Sequence, residues 1–116
     1  MQYMLLIYRD EAEWEAMSDE EKGAHFHEYE DYSKWLVEQG WMRAGDPLHP
    51  TTEATTVRVR DGKMLTTDGP FAETKEQLGG YYAIECDSLD DAIEAAARIP
   101  GARYGSIEIR PFHPMG

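Results

Sequence analysis

Residues 2–8, QYMLLIY, are apolar at almost every position, and a strand of that composition has no side it can leave to water. Successive side chains alternate, so Tyr3, Leu5 and Ile7 point one way and Met4, Leu6 and Tyr8 the other. Any fold this chain adopts has to cover both faces of its first strand.

The elements available to do so follow in order. MSDEEKGAHFHEYEDYSKWLVEQG predicts a helix: Ser18 caps it with Glu21 three residues on, acids crowd its first turn, and Gly40 stands at the C-cap position. At 100° per residue His25, Phe26, Tyr29, Tyr32, Ser33, Leu36 and Val37 share one face, expected to meet the core. WMRAGDPL reads as a short strand stopping at Asp46-Pro47. TTVRVR and KMLTT flank Asp61-Gly62, a strong hairpin signal, and GGYYAIEC is a further strand. SLDDAIEAAARIPG supplies a second helix capped by Ser88, with Leu89, Ala92, Ile93, Ala96 and Ala97 as its expected inner stripe. SIEIRPF closes the chain as a strand.

This order predicts one α+β domain over residues 1–116. It is a ferredoxin-like βαββαβ antiparallel sheet with an inserted β-hairpin and both helices on one face. Two helices cover one face only, so the Met4, Leu6 and Tyr8 side must meet another subunit, the inserted hairpin or a ligand. A homodimer is the expected state, on the area of apolar surface otherwise left open.

Charge narrows the partners. Twenty-three Asp and Glu against eleven Lys and Arg leave a net charge of -12, a field that repels phosphate backbones and anionic lipid surfaces. Direct nucleic-acid binding and membrane association are therefore not expected, and a basic protein is the macromolecular partner that such a surface would suit. YMLLIY runs straight into RDEAE and is far too short to span a bilayer, so a cytoplasmic protein is expected. The single Cys86, with no His, Lys or Arg beside it, reads as a buried small residue. Four scattered His without ligand spacing predict no metal, and no dinucleotide fingerprint, phosphate loop or nucleophile elbow points to a cofactor.

The stretch from Asp68 to about Gln77 is long for a connection between strands. Asp68 can bond amides ahead of it, Gly69 tolerates unusual dihedrals, Pro70 restricts Gly69, and Phe71 is expected to plug inward. Glu73, Lys75 and Glu76 set alternating charges nearby. TDGPFAETKE followed by LGGYY resembles the hallmark of YCII-related proteins of the DGPF type, and YMLLIY, TTVRVRDGK and SIEIRPF extend the likeness over essentially the whole chain. The resemblance implies that the ferredoxin-like domain pairs into a dimeric α/β barrel. It also implies a cleft in which the wider family carries a His early in its first helix and an Asp just before a Pro after its second. Those positions correspond here to Tyr29 and Ile99, residues poorly suited to acid–base chemistry at neutral pH.

The candidate ligand-binding set is accordingly Tyr29, Tyr81 and the loop residues Asp68, Gly69, Pro70, Phe71, Glu73 and Lys75. His25, one turn before Tyr29, is either an alternative base or a packing residue. No catalytic residue is assigned. The leading expectation is a small-ligand-binding homodimer with a cleft near the loop. A lyase- or isomerase-type enzyme acting on a small, aromatic compound is a second reading, since a relative has chlorohydroxyhydroquinone dehydrochlorinase activity. A regulatory accessory linked to an extracytoplasmic-function sigma factor is the third, because some family members are encoded beside such factors.

Overall fold

The structure is a computed structural model and describes residues 1–114. Four strands form an antiparallel sheet: β1 (Gln2–Arg9), β2 (Met42–Pro47), β5 (Gln77–Glu85) and β6 (Ser106–Pro111), in the order β2-β5-β1-β6. The most apolar strand, β1, lies inside the sheet with β5 and β6 on its two sides, and this is the arrangement the split βαβ pattern predicts. β3 (Thr55–Arg60) and β4 (Lys63–Asp68) form a separate two-stranded sheet, the inserted hairpin. Its turn has the positive φ angles that Asp61-Gly62 signals, 52° and 74°.

Among the described residues there are three α-helices, α1 (Glu11–Glu15), α2 (Asp19–Gln39) and α3 (Leu89–Ala97), and two short 3-10 helices, Thr51–Glu53 and Pro100–Arg103. α2 begins on the full capping box of Ser18 and Glu21 and ends at Gly40 in the left-handed conformation. α3 starts on the Ser88 cap. The five-residue α1 was not read from the sequence; Asp10 caps it by accepting from the Ala12 amide at 2.9 Å. Among the described residues no helix is long and apolar enough to cross a membrane.

The core joins Tyr3, Leu5, Ile7, Tyr82 and Ile84 of the sheet to Tyr32 and Leu36 of α2 and Ala92, Ala95 and Ala96 of α3. The Tyr32 hydroxyl donates to the Ala95 carbonyl at 2.7 Å and ties the two helices together. Both expected helix stripes need correction. On α2 the buried positions are His25, Tyr32 and Leu36, while Phe26 and Val37 are 57% and 64% exposed. The seam that meets the sheet is narrower than the apolar stripe, and residues one step around the helix fall outside it. On α3 the buried face is Ala92, Ala95 and Ala96, and the larger Leu89 and Ile93 are about half exposed. Alanines let the helix backbone lie close to the sheet, so the bulky residues turn outward. Cys86 is buried, as expected, and burial raises its thiol pKa.

The hairpin stands off this body. The radius of gyration is 16.2 Å, against about 13 Å for a compact chain of this length. The molecule is a slab of 48 × 47 × 18 Å.

Candidate functional site

At one end of the sheet a cavity of about 390 Å³ opens where α1, α2, the last residues of β1 and the β2–β5 pair meet. Its position depends on a bulge. Ile7 pairs with Gly80 but Tyr8 pairs with Leu78, so Gly79 is an extra residue in β5. The insertion flips the alternation beyond it: Leu78 moves to the open face with Tyr8, and Gln77 turns to the helix side opposite Arg9. Arg9 and Gln77 both line the cavity.

α1 forms one wall. The Glu11 amide donates to Gln77 Oε1 at 2.9 Å, and its carboxylate accepts from both the amide and the hydroxyl of Thr51 at 2.8 Å. Three segments distant in sequence are thereby locked together, with both carboxylate oxygens of Glu11 engaged. Trp14, from the same short helix, packs edge-on to Phe26 at 5.9 Å. Phe26, outside the core seam, thus serves the cavity wall instead.

The opposite wall carries hydroxyls. Tyr29 accepts a hydrogen bond from the Gly101 amide at 3.1 Å. Burial, opposed by that amide bond, raises its pKa, so the phenol keeps its proton and can donate it. Ser33 and Tyr82 share a hydrogen bond of 3.0 Å, and burial raises the Tyr82 pKa likewise. Tyr81, whose register partner Leu6 lies on the sheet's open face, reaches the cavity from its rim; its hydroxyl donates to the exposed Asp46 Oδ2 at 3.0 Å, and this bond with the carboxylate raises the Tyr81 pKa.

Of the residues singled out from the sequence, Tyr29 and Tyr81 line this cavity. His25 does not; it is 3% exposed, packed edge-on against Trp14 and Tyr104, and its Nδ1 has no hydrogen-bond partner among the described residues. Burial lowers its pKa. The loop lies elsewhere, at the root of the hairpin. Gly69 has the positive φ expected of it, 103°, donates to the Ala54 carbonyl at 2.7 Å and accepts from the Thr56 hydroxyl at 2.8 Å. Asp68, Pro70, Glu73 and Lys75 are exposed and do not line the cavity. Phe71, expected to plug inward, is 75% exposed, because the loop follows the projecting hairpin and no core lies beneath it. Among the described residues no group of His, Cys, Asp and Glu is arranged to hold a metal ion.

Sequence reading missed Arg9, Glu11, Trp14, Phe26 and Gln77. The signal available for the first three was the Asp10 cap before EAEW, but a five-residue helix is too short for periodicity to reveal. Gln77 could not be placed without the bulge.

A ferredoxin-like α+β domain with a ligand-sized cavity at the helix-covered end of its sheet is the class these features define. Within it, the chain belongs to the YCII-related domain family, which it matches over residues 1–116. It is also 42% identical over 114 residues to an uncharacterized protein of Rhizobium meliloti strain 1021, covering 97% of this chain and 92% of that protein. The Tyr29 hydroxyl meets Gly101, two residues beyond the buried Ile99.

Proposed function

We propose that this protein is a dimer that binds a small, largely apolar organic molecule in the cavity bounded by Trp14, Phe26, Tyr29 and Tyr82. The cavity carries the reading: about 390 Å³ is in the range of small-molecule sites, and its aromatic wall is broken by a few placed polar groups. Tyr29 is fixed by the Gly101 amide, so its hydroxyl can orient a ligand at little entropic cost. Dimer formation is supported by the open face of β1 and by the hairpin, where Val57, Val59 and Met64 are each more than half exposed.

A thermal-shift series with neutral aromatic alcohols tests the ligand reading. Binding to the native state alone raises Tm by mass action, by about 2.7 kcal/mol of added stability at a hundred times Kd. No shift at millimolar concentration from any neutral or charged aromatic probe would remove the ligand reading. Light scattering tests the dimer, and a mass of 13.3 kDa at high concentration would refute it.

A further inference from the structure

Resting on the cavity reading above, we infer that the ligand is an anion, the carboxylate of a planar aromatic acid, and that Arg9 is the residue that holds it. Arg9 is the one basic side chain among the described residues lining the cavity. Its guanidinium lies over the rings of Trp14 at 5.2 Å and Tyr104 at 5.1 Å. Aromatic faces hold a cation in place without accepting its in-plane N–H bonds. Those donors are poorly used: Nη2 reaches only the Met17 sulfur at 3.8 Å, and Nε is buried with no partner among the described residues.

Arg9 has no carboxylate within salt-bridge distance among the described residues, and unlike the equally unpaired Lys34, Arg60, Lys63, Lys75 and Arg110 it is half-buried rather than exposed to water. The acids at the cavity are committed elsewhere, Glu11 to Thr51, Asp46 to Tyr81 and Glu15 to Lys22 at 3.8 Å. Asp46 and Glu15 are exposed, so water screens their repulsion, whereas Arg9 acts from a partly buried position where a charge interacts more strongly. A planar guanidinium with free N–H groups matches a carboxylate bidentately. Tyr29 can add its own proton as a further donor, and Trp14, Phe26 and Tyr82 supply faces for a flat apolar body.

The test holds the ring system constant and varies the charge. Calorimetric titration of the full chain with 1-naphthoate, 1-naphthylmethanol and 1-naphthylmethylamine should show the carboxylate binding at least tenfold tighter than the neutral alcohol, and the amine weakest. Arg9→Met, which keeps an apolar stem between the two rings, should erase the preference for the carboxylate, and Arg9→Lys should keep part of it. Equal binding of acid and alcohol, tighter binding of the amine, or a preference that survives in a folded Arg9→Met would overturn the anion inference while leaving the cavity reading intact. Binding of none of the three would overturn both. The wild-type ranking decides the matter even where Arg9→Met does not fold.

Discussion

Leu5, Leu36 and Ile84 in the body of the molecule are wholly buried, whereas Val57, Val59 and Met64 in the hairpin are 57%, 61% and 71% exposed. Both regions are built of alternating antiparallel strands with correct turns and caps. They differ in what lies over them: α2 and α3 cover one face of the four-stranded sheet, and among the described residues no helix covers β3 and β4. In the hairpin register Val59 lies opposite Met64 and Val57 opposite Thr66, so these side chains share a face. A lone two-stranded sheet is marginal in water, and its apolar face gains most of its worth by packing against something else. Strand pattern alone therefore distinguishes neither a core from an interface nor the stability each contributes.

The contrast can be tested by substitutions of graded effect. Leu36→Ala, at the centre of the body, should cost about 2–5 kcal/mol in urea unfolding, from lost transfer energy and the cavity left behind. Gly101→Ala should cost about 1–3 kcal/mol, since a Cβ there would lie 2.7 Å from the Tyr29 hydroxyl and 3.3 Å from Ile7 Cγ2. It would also disturb the cavity wall, so weakened ligand binding should accompany the loss of stability. Tyr29→Phe leaves the Gly101 amide without its partner and should cost about 1 kcal/mol.

His25 sharpens the comparison through pH. Burial lowers its folded pKa, so the unfolded chain takes up the proton first. The contribution of the neutral ring to stability is complete above its ordinary pKa of about 6.5 and is lost progressively as pH falls from there toward the lower folded value. Denaturation midpoints of wild type and His25→Gln followed downward from pH 8 should diverge in slope in that window, and parallel curves would contradict it. The smallest effect on the body is expected from the hairpin. Val59→Asp with Met64→Asp should change its unfolding free energy by no more than about 0.5 kcal/mol, yet halve the mass in light scattering. A large destabilisation of a monomer would place the hairpin in the body's core instead.

Much of the fold was legible in advance. The Ser18–Glu21 box, Gly40, the Asp61-Gly62 turn and the two-sided apolarity of β1 depend on neighbours a few residues away, and each appears as read. The candidate site was half legible: Tyr29 and Tyr81 line the cavity, but the loop residues drawn into it on local grounds lie at the hairpin root. Helix faces were the weakest inference. An apolar stripe says which residues can be buried, and the width of the partner surface says which are, hence the exposure of Phe26, Val37, Leu89 and Ile93.

Sequence by itself determined the order of elements, their caps and turns, the antiparallel plan and the family, because these rest on periods and spacings written along the chain. Only the tertiary structure decided that Arg9 stands between two aromatic rings, that a bulge at Gly79 turns Gln77 toward it, and that the hairpin projects from the body. Such outcomes depend on contacts between residues up to about a hundred positions apart. Their energies are set by distance and burial in space, which local pattern does not record.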